Sequence, residues 1–150
     1  MKILFAIKTI DNVIGGAERV IAEVSGELAD RGHEVALLTF DPPGGKPVYP
    51  LHPRVKRICL GIGDTSRKTS FSEIFRRIFS LRKNVLRFQP DVAIPFMHSM
   101  FIPMSLALAG TKIPVIASEH TVPQHYKGKR LEFSLLILSS FFVEAVTVIS

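Results

Sequence analysis

A chain of 150 residues fits one domain with room for a buried core, and its 19 Lys and Arg against 13 Asp and Glu leave a net charge of +6. That excess, with an isoelectric point near 9.8, favours anionic partners such as nucleotide-sugars and phospholipid surfaces. Nucleic acid is the weakest of the anionic partners and is not expected, because the basic residues do not alternate with exposed aromatics in one cluster. The single cysteine excludes an internal disulfide, and the longest apolar segment, 131–149, is broken by Glu132 and Glu144 and makes a poor membrane span.

Residues 2–8, Lys-Ile-Leu-Phe-Ala-Ile-Lys, predict a first strand. The run shows no signal-peptide pattern of basic start, apolar stretch and small-residue cleavage site, and the single cysteine fits cytoplasmic residence. The sequence Gly15-Gly16-Ala17-Glu18-Arg19-Val20 then falls between that strand and an amphipathic helix. Paired glycines there permit backbone conformations other residues avoid and let a bulky ligand approach the main chain. The free amides of the helix's first turn, at the positive end of its dipole, suit a phosphate or diphosphate, with a plain flexible turn as the alternative. Ala17, Val20, Ile21, Val24 and Leu28 recur at the helical period as a buried face, and Gly32 supplies the stop.

Residues 34–40 are a second strand, apolar along most of its length as burial on both faces requires. The loop 41–45 follows, with Asp41 where a ribose-binding acid would stand in a dinucleotide site. The G-x-G-x-x-G that should accompany it is absent, as are a P-loop and a G-x-S-x-G elbow. Residues 55–60 form a third strand holding Cys59, read as a buried, inert thiol. After a flexible basic loop with Arg67 and Lys68, Ser70 and Glu73 have capping-box spacing and open a helix that ends before Pro90. Its core stripe is Ile74, Ile78, Leu81, Val85 and Phe88. Strand four spans 91–96, a loop and helix 98–110, strand five 114–118, an almost wholly apolar helix 130–145, and strand six 146–149.

Strict alternation of this kind predicts an α/β fold: a doubly wound, mostly parallel six-stranded sheet with helices on both faces, in the order 3-2-1-4-5-6. Ligands in such sheets lie outside the carboxyl ends of the strands, which gathers the loops 9–16, 96–101 and 119–127 on one rim. His98 follows strand four and His120 strand five; either alone suits a structural role, and the pair together suits a functional one. Neither has a second ligand three or four residues on along a helix, so no metal is expected. Glu119 is a candidate base, a ligand for an acceptor hydroxyl, or an ion-pair partner of Lys127, Lys129 or Arg130.

The set Gly15-Gly16-Ala-Glu-Arg-Val, the Arg31-Gly-His-Glu-Val35 stretch, Asp91-Val after a proline, Ser118-Glu-His120 and Val146-Thr-Val-Ile-Ser150 resembles the N-terminal domain of glycosyltransferase family 4. The resemblance spans essentially the whole chain. It implies one Rossmann-like half of a GT-B fold in a retaining, nucleotide-sugar-dependent, metal-independent enzyme. On that likeness Gly15 and Gly16 match the loop approaching the donor diphosphate, and His120 the histidine that reaches the transferred sugar. His98 matches a less uniform position near the acceptor. The likeness also implies a C-terminal donor-binding domain that residues 1–150 do not include, so this portion alone is expected to be inactive. The alternative is a stand-alone, non-catalytic module binding an anionic ligand or a partner subunit.

A last expectation concerns the helix 71–88. Beyond its core stripe it keeps Phe75, Phe79 and Leu86 to one side, flanked by Arg76, Arg77, Arg82, Lys83 and Arg87. Basic residues beside surplus aromatics are what an interfacial helix needs, so attachment to an anionic membrane, on its cytoplasmic face, is expected. Ordinary core phenylalanines with a solvated basic face are the alternative.

Overall fold

A computed structural model of the chain describes residues 1–63, 70–119, 134 and 137–148. Among the described residues the elements run β1 (Lys2–Ala6), α1 (Gly16–Asp30), β2 (Glu34–Thr39), β3 (Lys56–Cys59), α2 (Phe71–Phe88), β4 (Val92–Pro95), α3 (His98–Leu108), β5 (Ile116–Glu119) and β6 (Ala145–Val148). β3, β2, β1 and β4 form one parallel sheet in that order, and β5 pairs in parallel with β6.

The two sheets meet through a broken seam. Ala93 bridges Val115 and Phe96 bridges Ser118, both in parallel, and the Ala93 and Met97 amides donate to the Pro114 and Ser118 carbonyls at 3.0 and 2.8 Å. On β4, alternate amides point to alternate neighbours, so the residue between Ala93 and Met97 that should donate to β5 is Pro95. Proline has no N–H, and the ladder is interrupted there. The spatial order is the expected 3-2-1-4-5-6, built as four strands plus two rather than one continuous six-stranded ladder.

Both faces of the sheet are covered, which explains the apolar runs in β1 and β2. Leu4, Ala6, Ala36, Leu38 and Ala93 face Leu81, Val85 and Phe88 of α2 and Met100 and Met104 of α3. Ile3, Phe5, Val35, Leu37 and Val92 alternate to the other side, against Ala17 and Ile21 of α1.

Two helix faces differ from expectation. On α1 the buried side runs through Ala17, Ile21, Ala22, Ser25, Gly26 and Ala29, while Val20 and Val24 are exposed. The helix is turned so that its small residues meet the sheet and the strap after residue 48; a Cβ on Gly26 would stand 3.2 Å from the His52 Cβ. On α2, Leu81, Val85 and Phe88 are buried and Ile78 is half-buried, but Ile74 lies exposed in the first turn, beyond the reach of the core. Ser70 caps α2 by accepting from the Glu73 amide at 3.4 Å, yet the Glu73 carboxylate pairs forward with Arg77 at 2.7 Å instead of completing the capping box. Gly32 ends α1 with φ +86°, as its sequence position implies. Cys59 is half-buried rather than fully buried, because β3 is an edge strand.

Candidate functional site

The rim at the carboxyl ends of β1, β4 and β5 is built loop by loop. β1 and β2 keep pairing past their formal ends, the Phe40 amide donating to the Lys8 carbonyl at 3.1 Å. The chain then turns through Asn12, whose φ of 57° is one of three positive values at non-glycine residues among those described. Beneath this turn lies a network of charge. Asp41 accepts from the Ile10 amide at 3.0 Å and from the Thr9 hydroxyl, and Arg57 of β3 donates to Asp41 at 3.2 Å and to Asp11 at 2.7 Å. A further Arg57 bond reaches the Gly45 carbonyl at 2.6 Å, and Asp11 bridges Pro47, which straps the 41–48 loop to the β1–α1 loop. Gly45 has to be glycine because a Cβ there would collide with the Asp11 carboxylate. Burial pulls the Arg57 guanidinium down, but the hydrogen bond to Asp11 and the surrounding negative charge outweigh it, and its pKa is raised.

Asp41, considered as a ribose-binding acid, is therefore occupied inside the protein and buried. It holds the glycine loop rather than facing a ligand. Arg57 and Asp11 were not recognisable as its partners in sequence, since nothing in a strand of four residues distinguishes an arginine that points into a loop network from one in solvent.

Gly15 and Gly16 sit where sequence places them, at the cap and first residue of α1, but for reasons other than unusual dihedrals. Gly15 is extended, with φ −154°, and Gly16 is helical. A Cβ on Gly15 would collide with the carboxylate of Glu18, which folds back over the helix start. At the positive end of α1 that carboxylate is well placed. Gly16 has nothing within 4 Å of where its Cβ would be. Of the two glycines, Gly16 leaves an open approach to the main chain and Gly15 accommodates Glu18.

β1 pairs Ala6 with Pro95, so the loop after β4 emerges beside the glycine loop. Met97 caps α3 with φ 64° and ψ 153°, a conformation costly for a residue with a side chain, and it is held by its bond to the Ser118 carbonyl. Strain of this kind is concentrated at functional sites. It sets His98 at the first position of α3, where Nδ1 stands 3.9 Å from Glu119 Oε1, both groups largely buried. The structure thus brings together His98 and Glu119, two candidates chosen separately. His120, Lys127, Lys129 and Arg130 lie outside the described residues, as do Arg67 and Lys68. Among the described residues no group of three His, Cys, Asp or Glu side chains could hold a metal ion, and no helix is long and apolar enough to cross a membrane. A hollow of about 440 Å³ runs along β3 from the amino ends of the strands, where Lys2, Glu34 and Arg87 line it, to Arg57 and Cys59.

Comparison with known proteins agrees with this architecture. The chain is 32% identical over 152 residues, 99% of its length, to the GalNAc-alpha-(1->4)-GalNAc-alpha-(1->3)-diNAcBac-PP-undecaprenol alpha-1,4-N-acetyl-D-galactosaminyltransferase of Campylobacter jejuni, and spans 40% of that relative. Among solved structures it resembles sucrose-phosphate synthase from Thermosynechococcus elongatus, with TM-score 0.76 and 11% identity over 97% of this chain and 42% of that one. It also resembles UDP-GlcNAc 2-epimerase from Neisseria meningitidis bound to UDP-GlcNAc, with TM-score 0.65 and 21% identity over 99% and 40% of the two chains. At such identities these structures establish the fold alone, one Rossmann-like half of a GT-B architecture. The family model of Glycosyltransferase Family 4 matches residues 14–150, from the glycine loop through β6, and the chain belongs to that family.

Proposed function

We propose that this chain is the N-terminal, acceptor-side domain of a retaining glycosyltransferase that moves a sugar from a nucleotide-sugar to a glycan or lipid-linked glycan. The family match over 14–150 carries the reading, together with the gathering of Gly16, His98 and Glu119 on one rim. The Campylobacter relative, named for a saccharide on PP-undecaprenol, supports a lipid-linked acceptor. The same reading puts the protein in the cytoplasm, on the inner face of a membrane that holds such an acceptor.

Glycosyl transfer develops positive charge on the sugar ring and negative charge on the departing diphosphate. The open main chain at Gly16, backed by the α1 dipole, supports the second. Glu18 already occupies part of that positive end, so the α1 amides share the diphosphate charge with groups of a donor-binding domain. In this scheme no metal or other cofactor is required. His98 and Glu119 take the acceptor side: a carboxylate beside an imidazole orients a hydroxyl and accepts its proton as the new bond forms. His120, next in sequence to Glu119, reaches the transferred sugar.

The test is transfer by the full-length protein to a polyprenyl-diphosphate-linked acceptor, with the anomeric configuration of the product read by NMR. Retention is expected, and His120→Ala should lower kcat on the order of a hundredfold with little change in nucleotide binding. An inverted product, or turnover within a few-fold of normal in the folded variant, would overturn the assignment.

A further inference from the structure

α2 has two apolar sides, and the core accounts for one. Leu81, Val85 and Phe88 pack inward, whereas Phe75 and Phe79 are 73% and 74% exposed and Leu86 is exposed with them. Spacings of four and seven residues put these three on one outward stripe. Ile62, just past β3, joins them at a hollow of about 600 Å³ lined by Ile62, Phe75, Arg76, Phe79, Ser80 and Lys83. Phenyl rings held in water forgo a large transfer free energy, and contiguous apolar patches on a surface mark interaction sites.

The charges beside the stripe sort into two groups. Arg77 is buried: it pairs with Glu73 at 2.7 Å, lies over the Phe40 ring at 4.5 Å, and burial lowers its pKa. Arg82 donates to the Ala107 and Ala109 carbonyls at 2.7 and 3.1 Å, capping α3. These two, expected among the basic flank, are structural. Arg76, Lys83 and Arg87 remain exposed, at intervals of seven and four residues along the edge of the stripe. The single acid of α2, Glu73, is buried beneath Arg77. The outer side of the helix therefore presents three cations and no anion.

We propose that this face of α2 docks on the surface of an anionic lipid bilayer, with Phe75 and Phe79 in the headgroup–acyl boundary and Arg76, Lys83 and Arg87 on lipid phosphates. Charge selects this occupant. A two-fold contact between copies of the chain would set these cations against their own counterparts with no acid to offset them. A bilayer offers the apolar depth and the anionic oxygens together. α2 starts beyond the carboxyl end of β3, so Phe75 and Phe79, in its first half, lie toward the rim that bears Gly16 and His98. Docking there brings the acceptor cleft to the membrane; that use, though not the docking itself, rests on the transferase function proposed above.

Co-sedimentation of the full-length protein with vesicles tests the idea. Binding is expected to phosphatidylcholine vesicles containing phosphatidylglycerol, weakening as salt rises, and far less to phosphatidylcholine alone. Substituting Arg76→Gln, Lys83→Gln and Arg87→Gln should lower partitioning roughly fivefold per residue. Phe75→Ser with Phe79→Ser should lower it about tenfold or more, with an unchanged melting curve because both rings are outside the core. Absence of binding at low salt, equal binding to neutral vesicles, or unchanged binding in either variant overturns the proposal. So does a dimer that the serine variant dissolves without any lipid effect. Transfer to a water-soluble acceptor, assayed without vesicles, separates the two claims: vesicle binding without transfer removes only the transferase reading, and transfer without vesicle binding removes only the docking.

Discussion

Beneath the β1–α1 loop, Arg57 ties two carboxylates together, and the ladders from β3 through β1 to β4 run without a break. Across the β4–β5 seam, Pro95 removes a donor, two bridges do the joining, and Met97 is held in a strained conformation beside His98 and Glu119. Both regions place loops on the same rim. The first does it by pairing its charges with one another, Asp11 and Asp41 both held on Arg57 inside the protein. In the second, a histidine and a glutamate are poised at the end of an incomplete ladder, where local adjustment costs less. The contrast locates structural charge on one side of the rim and candidate chemistry on the other.

The largest effect expected from this contrast is on Arg57. Arg57→Met leaves Asp11 and Asp41 buried without their shared cation, and should cost about 3 kcal/mol of stability, read from urea unfolding. A loss below about 1 kcal/mol would show that the network is only a solvated ion pair.

Smaller and more discriminating is the comparison of the two glycines. Gly15→Ala should displace the Glu18 carboxylate from the start of α1 and lower stability by about 1 kcal/mol. Gly16→Val, facing open space, should hardly change the melting temperature, yet reduce donor affinity about tenfold in the full-length enzyme by blocking the main chain. Titration calorimetry showing unchanged donor affinity in the valine variant would assign Gly16 to the turn alone.

The smallest change sharpens the seam itself. Pro95→Ala supplies the missing N–H between β4 and β5, gaining a hydrogen bond while freeing the unfolded chain, so net stability should move by less than about 1 kcal/mol. Hydrogen exchange is the informative measurement: the new amide of residue 95 should be protected. Rapid exchange there would mean the seam is open for reasons other than proline.

Sequence alone determined the alternation of strands and helices, and with it the parallel sheet, the strand order and the rim, because hydrophobic period and glycine stops are local signals. It also determined the candidates Gly15, Gly16, His98 and Glu119, through their places at strand ends. Tertiary structure decided what each group touches. It turned α1 onto Ala22, Ser25 and Gly26 and left Val20 and Val24 outside, since close approach to the sheet and to His52 rewards small residues that a hydrophobic pattern overlooks. It took Asp41, Arg77 and Arg82 into internal bonds, leaving Arg76, Lys83 and Arg87 as the exposed cations of α2. A charged side chain pairs with whatever the fold brings within about 4 Å, and residues 11, 41 and 57 or 82 and 107 become neighbours only after the chain has crossed over the sheet.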